Sequence, residues 1–412
     1  MDPATIDAIV VTHAHIDHVG FLPRLVREGF RGRVMCTDST AGLARIVLPD
    51  SGHLQEEEAA YANRVGFSKH RPALPLYTEA DALRSLDLLH PRPFGEPFEV
   101  APGVEVTLRP AGHILGSSTA TVRLAATGTT VLFSGDLGRP NHPLLVPPAP
   151  PDGADVVVME STYGGRHHDD AGALERFRDV INRTVQRGGS VLIPAFAVDR
   201  TEVVLFHLRE LMEAGDIPDL AVYVDSPMAL RALGVYRDAI RHEAADVQPE
   251  WHDHADPFDT GQLVEVRDVQ DSKAIAQTRF PVIIVSASGM ATGGRVLHHL
   301  ARLLPDRRNS VILVGFQAAG TRGRALADGA REIKLLGSYV RVRAEIVDLP
   351  SFSVHADHGE LLGWLGSATS EPDATYLVHG EPDAASALHD AIEDDLDWEA
   401  VVPRHLERVR LA

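Results

Sequence analysis

The sequence predicts an α/β protein of more than one domain, and three observations support this. Between about residues 98 and 159, apolar and polar residues alternate with a period of two, which is typical of half-buried strands. From about residue 164 to 349, short apolar runs alternate with helical stretches, the pattern of a parallel sheet with helices on both faces. The chain has 412 residues, which is long enough for two or three domains.

The N-terminal part begins with strands and helices in alternation. A β-branched run at residues 6–11 predicts a buried strand, and helical spacing begins at Phe21. Residues 33–36 are strand-like, and the following stretch, to about residue 65, predicts a long helix. Prolines between residues 72 and 93 mark loops. Further strands are predicted at residues 104–108, 119–124, 129–134 and 155–159.

The part of the chain from about residue 164 to 349 has a longer alternation of predicted strands and helices than the N-terminal part. Strands are predicted at residues 190–193, 282–285 and 310–314, and helices at residues 171–186, 201–214 and 295–304. After residue 349 the pattern is again strand, helix, strand and helix. The predicted strand at residues 376–378 leads directly into a histidine.

The overall composition limits the class of protein. Apolar residues make up 44% of the chain and charged residues 24%, which is ordinary for a soluble globular protein. No apolar run approaches the ~18 residues of a membrane-spanning helix. Cys36 is the only cysteine, so no internal disulfide can form, and we expect a cytoplasmic protein. The formal charge of −19 is unusual for a nucleic-acid enzyme, but local basic patches and metal ions decide such binding.

Four potential metal ligands are packed into the turn between the first strand and the first helix. They follow the order His-x-His-x-Asp-His and comprise His13, His15, Asp17 and His18. Imidazole nitrogens and carboxylate oxygens are ligands that Zn²⁺ prefers. The strand end can hold His13 and His15 towards one ion, while the turn presents Asp17 and His18 to a second. A chance polar turn is the alternative, but these groups need a partner that offsets their desolvation.

Two later strand ends carry further ligand candidates. His113 lies between glycines that allow the backbone to turn sharply, and Asp136 follows a strand and a glycine. A carboxylate can bridge two cations through its two oxygens, and the cations would compensate a charge whose burial alone is costly. We therefore interpret His113 as a ligand of the first ion and Asp136 as the bridging ligand.

Three further motifs narrow the interpretation. Glu160 lies in Met-Glu-Ser-Thr-Tyr-Gly, His355 in Ser-Phe-Ser-Val-His-Ala-Asp, and His379 in Leu-Val-His-Gly-Glu. With the first turn, they resemble motifs A, B and C of the β-CASP branch of the metallo-β-lactamase superfamily, nucleases that carry an inserted domain. Residues 225–229 and 286–290 also resemble blocks of that domain. The cleavage-and-polyadenylation endonuclease subunit and its bacterial relatives match best, over nearly the whole chain.

This resemblance implies a fold and a ligand set. The fold would be an αββα sandwich built from residues 1–169 and 345–412, with an α/β β-CASP domain inserted at residues 170–344. Two zinc ions per chain are implied. One would be held by His13, His15, His113 and Asp136, and the other by Asp17, His18, Asp136 and His379.

The resemblance also implies hydrolysis of RNA, which would lie between the two domains. A histidine at motif C accompanies RNA-cleaving members, whereas DNA-repair relatives carry valine, so His379 favours RNA. The implied catalytic residues are Asp17, Glu160 and His355, with Glu160 orienting His355 to protonate the leaving 3′ oxygen. The products would carry a 5′-phosphate and a 3′-hydroxyl. The expected partners are single-stranded RNA and a second copy of the chain in a homodimer, with no membrane.

Some signals are weaker. Arg295, after two glycines, could cradle a phosphate at a helix N-terminus or belong to an ordinary turn. Arg200 could contact substrate or cap a local carboxylate. We interpret the pair at residues 298–299 as a surface pair on a helix, and the His-Asp-His run at residues 252–254 as a solvated loop. The predicted substrate-binding residues are Arg200, Ser288, Gly289, Arg295 and Ser353.

Three alternatives stay open: an RNA-binding scaffold without activity, a DNA nuclease of the same fold, and a small-molecule hydrolase. The full ligand set disfavours the scaffold, His379 disfavours DNA, and an inserted domain would cover the open groove that a small-molecule hydrolase uses. Family members begin with further strands before the first motif, so we expect these strands to be missing here. A sheet edge left bare in that way would favour aggregation. Endonuclease and 5′-exonuclease action are not separated by the sequence.

Overall fold

The computed structural model describes residues 2–66, 68–169, 171–252, 256–278 and 280–411. Asp253 and His254 of the run interpreted as a solvated loop lie outside these residues. Within them, no helix is both long enough and apolar enough to cross a membrane. The chain forms two compact units. The first comprises Met1–His167, Glu243–Gln248 and His355–Ala412, and the second comprises His168–His242 and Pro249–Val354.

The N-terminal part of the first unit contains four helices and eight strands among the described residues. The predicted long helix is confirmed: it spans 28 residues, begins where the Thr37 side chain accepts a hydrogen bond from the Thr40 amide, and ends at Gly66 with a φ of 76°. The elements are β1 (Ala8–Val10), α1 (Ile16–Val19), α2 (Leu22–Arg27), β2 (Arg33–Cys36), α3 (Asp38–Val65), α4 (Glu79–Leu86), β3 (Leu89–Pro91), β4 (Phe98–Ala101), β5 (Val104–Pro110), β6 (Ser118–Leu124), β7 (Thr130–Phe133) and β8 (Val156–Glu160).

The second unit is built around a parallel sheet, as the strand–helix alternation predicted. The order of its six strands is β11-β10-β12-β9-β13-β16, and every pair in it is parallel. A separate hairpin joins β14 to β15. The elements are α5 (Ala173–Gln186), β9 (Val191–Pro194), α6 (Arg200–Glu213), β10 (Val222–Val224), α7 (Pro227–Arg241), β11 (Leu263–Glu265), α8 (Val269–Ala274), β12 (Ile283–Ser286), α9 (Val296–Leu303), β13 (Ser310–Leu313), α10 (Arg322–Ala327), β14 (Glu332–Leu335), β15 (Ser338–Arg341) and β16 (Glu345–Asp348).

The C-terminal segment returns to the first unit. It contributes α11 (His358–Gly366), β17 (Ala374–Val378), α12 (Pro382–Ala391) and β18 (Ala400–Val401). Strand β17 pairs with β8, so the seven-stranded sheet has the order β18-β17-β8-β7-β6-β5-β4. Strands β1, β2 and β3 form a second, parallel sheet. Both ends of the chain therefore build the first unit.

The first unit has the αββα order of layers. On one face of the long sheet, Leu132 and Leu377 pack against Trp364 of α11 and Leu388 of α12. A second apolar cluster contains residues of β5 and β6 packed against Val10 of β1, so the two sheets face each other. Helix α3 contacts α1, α4 and β3 of the smaller sheet. The predicted fold class, α/β with an αββα sandwich, is confirmed.

Residues 243–248, which interrupt the second unit in sequence, belong structurally to the first. The backbone of Val247 forms a β-bridge with Leu145, and the Gln248 side chain donates hydrogen bonds to the carbonyls of His142 and Leu145. The Asp246 carboxylate accepts a hydrogen bond from the Gly116 amide. The sequence analysis did not predict this docked segment.

Candidate metal centre

Three neighbouring parallel strands end at one edge of the long sheet, and each is followed or closed by a predicted site residue. Strand β8 pairs with both β7 and β17, and Val378 lies directly opposite Glu160. Asp136 follows β7, Glu160 ends β8, and His379 follows β17. Because the carboxyl ends of parallel strands share one edge, residues far apart in sequence meet there.

The turn after β1 reaches the same edge through the second sheet. The Ser118 amide, at the start of β6, donates a hydrogen bond of 2.9 Å to the Thr12 carbonyl, which fixes the turn against the long sheet. The short helix α1 then carries Asp17 and His18. This arrangement places the ligand-bearing turn beside the strand ends.

The loop that carries His113 is fixed from several sides. The His113 amide donates to the Ser117 hydroxyl at 2.9 Å, and Gly116 adopts a φ of 81° that disfavours other residues. The hydroxyls of Thr37 and Thr40 donate to the Gly116 carbonyl, while Asp246 accepts from its amide. The amide and the carbonyl of Gly116 are therefore both hydrogen-bonded, which holds the loop in place.

Seven predicted ligands form two groups around Asp136. Oδ2 of Asp136 lies 3.5 Å from His13 Nε2 and 3.7 Å from His113 Nε2. Its other oxygen, Oδ1, lies 3.3 Å from His18 Nε2 and 3.4 Å from His379 Nδ1. The ligand atoms lie within 4.8 Å of one another in each group: His13, His15, His113 and Asp136 in the first, and Asp17, His18 and His379 in the second.

The first group is buried and has the chemistry of a metal site. His13 and His113 are fully buried, and burial lowers the pKa of each well below the usual value, so both are neutral and able to ligate. Two buried atoms, His13 Nε2 and Asp136 Oδ1, have no hydrogen-bond partner among the described residues. A cation would satisfy both atoms and would compensate the Asp136 charge, so these residues fit a metal ion.

The second group is more open. The Asp17 side chain is 61% exposed and that of His379 is 32% exposed. Burial opposes ionisation of Asp17, but the hydrogen bond with His379, together with the nearby His18 and His15, lowers the Asp17 pKa, while the same bond raises the pKa of His379 to about 9. His379 adopts a φ of 64°, a left-handed conformation that is uncommon outside glycine and often marks functional sites.

Glu160 and His355 lie next to the first group. Oε1 of the buried Glu160 accepts a hydrogen bond of 2.8 Å from the Leu137 amide, and Oε2 accepts one of 3.1 Å from the Thr162 amide. Oε1 also lies 3.3 Å from Nδ1 of His355, whose ring is 4.2 Å from that of His113 between centroids. The carboxylate is fixed by two backbone donors and can orient the imidazole.

The five predicted substrate-binding residues all lie in the second unit. Three are buried: Arg200, Gly289 and Ser353. Ser288 bonds to the Thr292 side chain and amide, and Arg295 donates to Asp225 and to the carbonyls of residues 266 and 267. Their roles in binding substrate stay predictions.

The sequence analysis missed three residues that support the ligands. The hydroxyl of Thr12 lies 3.3 Å from His13 Nδ1, and that of Thr162 lies 3.2 Å from His379 Nδ1. Such contacts fix the tautomer and the orientation of a ligating ring. Both threonines lie within two residues of predicted site residues, so their position in the sequence could have suggested that they support the ligands. Asp246 is 130 residues from Gly116, and no local pattern indicates that contact.

Three family models match the chain in consecutive parts. The metallo-beta-lactamase superfamily model matches residues 1–185, the Beta-Casp domain model matches residues 201–326, and the model for the Zn-dependent metallo-hydrolase RNA specificity domain matches residues 339–403. The inserted Beta-Casp match and the flanking matches follow the order that the motifs implied.

Several known proteins are similar to nearly the whole of this chain. The chain is 36% identical to Ribonuclease TTHA0252 of Thermus thermophilus over 94% of this chain and 84% of the relative. It is 31% identical to the transcription termination factor FttA of Thermococcus kodakarensis, over 100% of this chain and 63% of the relative, and 31% identical to FttA of Pyrococcus abyssi, over 98% and 62%. The chain thus spans less than two thirds of the FttA relatives. With its match to the shorter relative and its three domain matches, the chain belongs to the β-CASP branch of the metallo-β-lactamase superfamily.

Proposed function

We propose that this protein is a zinc-dependent ribonuclease that hydrolyses phosphodiester bonds of single-stranded RNA. The position of Asp136 is the observation that carries the proposal, because each carboxylate oxygen faces a different group of ligands. A carboxylate placed in this way is suited to two cations. One zinc ion would be held by His13, His15, His113 and Asp136, and the second by Asp17, His18, Asp136 and His379.

Zinc ions at such a centre lower the pKa of water to about 7 and so make hydroxide available near neutral pH. The protein holds the ligands ready for this chemistry. His13 and His113 are kept neutral by burial, and Thr12 and Thr162 contact Nδ1 of His13 and His379. The more exposed second group offers the approach from solvent.

His355 and Glu160 are the proposed acid–base pair. The Glu160 carboxylate favours a proton on His355 Nδ1, because that atom faces Oε1 at 3.3 Å. The other ring nitrogen can then exchange a proton with the leaving 3′ oxygen. The His355 side chain is 16% exposed, which leaves room for such contact. Cleavage by this route yields a 5′-phosphate and a 3′-hydroxyl.

RNA as the substrate class is supported by the match to an RNA specificity domain and by the ribonuclease named among the relatives. A reducing cytoplasm is the compartment we propose, because Cys36 is the single cysteine and no internal disulfide can form. A homodimer stays a prediction.

The test compares RNA and DNA cleavage with metal content. Zinc-loaded protein is incubated with single-stranded RNA, labelled at its 5′ end or internally, and with DNA of the same sequence, before and after chelation and zinc re-addition. We expect RNA cleavage that chelation abolishes and zinc restores, with two zinc ions per chain by elemental analysis. The label patterns separate internal cuts from 5′ exonuclease action.

Asp136→Ala is the test variant, and His53→Ala is the matched control. His53 is an exposed histidine far from Asp136 in sequence, and among the described residues it pairs only with surface carboxylates. Asp136→Ala should lose zinc and activity, while His53→Ala keeps both. Intact RNA in every lane would favour a non-catalytic scaffold, and preferential cutting of DNA would favour a DNA nuclease. Unchanged zinc content in Asp136→Ala would refute the bridging role.

A further inference from the structure

A cavity in the second unit is lined by none of the candidate metal ligands or catalytic residues, although Arg295, one of the predicted substrate-binding residues, belongs to its lining. Its volume is about 540 Å³, within the range of roughly 300–1,000 Å³ that is usual for small-molecule sites. Its lining includes residues of α8 and α9, together with Leu336 in the turn between β14 and β15. The family matches and the relatives assign nothing to this cavity.

The lining of the cavity is cationic in a protein that is acidic as a whole. The chain has 58 Asp and Glu residues against 39 Lys and Arg, yet none of the described lining residues is acidic. Arg295, His298 and Arg302 follow the spacing of one face of α9, and Lys273 projects from α8. The local charge therefore favours an anionic ligand.

Two of the basic residues are already compensated by a buried carboxylate. Asp225 is fully buried, and it lies 2.7 Å from Arg295 Nη1 and 2.6 Å from His299 Nε2. The interpretation of residues 298–299 as a surface pair is therefore wrong for His299, which is buried on this carboxylate, while His298 is exposed. The remaining basic groups of the lining are Lys273, His298 and Arg302.

Arg302 is partly buried, and one nitrogen of its guanidinium is without a partner among the described residues. Its Nη2 atom is buried and has no hydrogen-bond partner within the described parts of the chain. Burial lowers the pKa of the guanidinium. Arg302 is part of the cavity lining, so its other guanidinium nitrogens are the donors that an anion in the cavity would contact.

Two large apolar residues of the lining are exposed. Val269 is 55% exposed and Leu336 is 53% exposed, although both are large apolar side chains. A ligand with an anionic end and an apolar part would cover these side chains while its anionic end contacts Arg302 and Lys273. We propose that the cavity binds a nucleotide, with the phosphate contacting Arg302 and Lys273 and the nucleoside lying against Val269 and Leu336.

The nucleotide could be free in solution or could belong to an RNA chain, since the phosphate and nucleoside are the same in both. This proposal goes beyond the ribonuclease function and does not depend on it, because binding rather than cleavage is measured. The probe is 8-azidoadenosine 5′-monophosphate, photolabelled onto the zinc-loaded full-length protein and mapped by mass spectrometry. An RNA oligonucleotide that carries one 8-azidoadenosine is tested in parallel on zinc-loaded His355→Ala, in which slow cleavage leaves the oligonucleotide intact.

We expect label on peptides of α8 or α9, or on the turn at Leu336, and competition by unlabelled adenosine monophosphate. Arg302→Gln should raise the half-saturating concentration about tenfold or more, since hydrogen bonds to charged groups are the strong ones. Arg331→Gln is the matched control, because Arg331 is an exposed arginine that does not line the cavity. Cavity label from the free nucleotide identifies a small ligand, and label only from the oligonucleotide identifies RNA.

Label confined to the metal centre would overturn the proposal, as would equal labelling of Arg302→Gln and the original protein. An equal loss in Arg331→Gln would indicate a general charge effect and would also overturn it. If Arg302→Gln fails to fold, Lys273→Gln replaces it, since Lys273 is exposed and its removal leaves the core intact. Unchanged labelling of a folded Lys273→Gln would then count against the site.

Discussion

Glu160→Gln tests whether the Glu160 carboxylate fixes the candidate metal centre. The side chain is 1% exposed, and its two oxygens accept hydrogen bonds from the amides of Leu137 and Thr162 at 2.8 and 3.1 Å. Glutamine has the same size but replaces one oxygen with an NH₂ donor. One of the two amides must then face a donor, and a buried donor without an acceptor costs about 1–3 kcal/mol. We therefore expect the free energy of unfolding to fall by that amount.

Urea unfolding of the first unit measures this loss. Trp364 and Trp398 pack in the apolar cluster of the long sheet, whereas Trp251 belongs to the second unit. In a Trp251→Phe background, tryptophan fluorescence therefore reports on the first unit alone. Glu58→Gln, at an exposed position on α3, is the matched control and should change stability by less than about 0.5 kcal/mol.

The same variant should slow cleavage, because the amide no longer offers a carboxylate to His355 Nδ1. A zinc content close to that of the original protein would assign the slower rate to His355 rather than to the ligands. Equal unfolding midpoints for Glu160→Gln and Glu58→Gln would refute the view that both oxygens are bound by backbone donors.

Three further substitutions probe separate features. His355→Ala should keep its zinc and lose about 10²–10⁴-fold in the single-turnover rate, the usual contribution of acid–base help, and full activity would remove its role. In Gly138→Ala the new Cβ would overlap the Gly112 carbonyl, so the two ligand-bearing loops must move apart. We expect this to lower the free energy of unfolding by about 1–3 kcal/mol and to cause loss of zinc. Gly363→Ala is the control and should retain zinc, because its new Cβ meets no atom of the described residues. Burial and, to a smaller extent, the nearby Asp199 raise the pKa of Glu202. Above pH 4.5, the pKa of this carboxyl in the unfolded chain, the folded chain therefore keeps a proton that the unfolded chain has lost. The free energy of unfolding consequently falls as the pH rises above 4.5. Glu202→Gln should remove that fall, by about 1.4 kcal/mol per pH unit, in urea unfolding at pH 5, 6 and 7, and parallel pH profiles would contradict it.

The strand–helix pattern and the strand ends could be predicted because that information is local, whereas the αββα sandwich and the full ligand set came from the family resemblance. Strands β7, β8 and β17 have short apolar runs, and Asp136, Glu160 and His379 lie at or just after the ends of these runs. A parallel sheet then brings the strand ends to one edge whatever their separation in sequence. The long helix α3 was predictable for a similar reason, since its start and stop signals lie within a few residues of its ends.

Contacts between distant segments carry no such signal. Asp246 binds Gly116 from a segment that looks like any polar connection, and nothing in its neighbourhood indicates a partner. His299 was interpreted as exposed because the helical pattern does not show that Asp225, 74 residues away, lies beneath it. In both cases a buried carboxylate forms a hydrogen bond with a group that loses contact with water only when the chain folds. The domain boundaries and the substrate contacts stay predictions.

The candidate catalytic residues and the candidate ligands share their supports. The Leu137 amide that binds Glu160 follows Asp136 directly, and its carbonyl accepts a hydrogen bond from the Ala356 amide, next to His355. Thr162 binds Glu160 through its amide and contacts His379 through its hydroxyl. A change at Glu160 therefore moves both the proposed proton donor and the ligands, and such coupled residues do not contribute additively. A loss of rate identifies a chemical role only in variants whose zinc content is unchanged, which is why both quantities must be measured on the same protein.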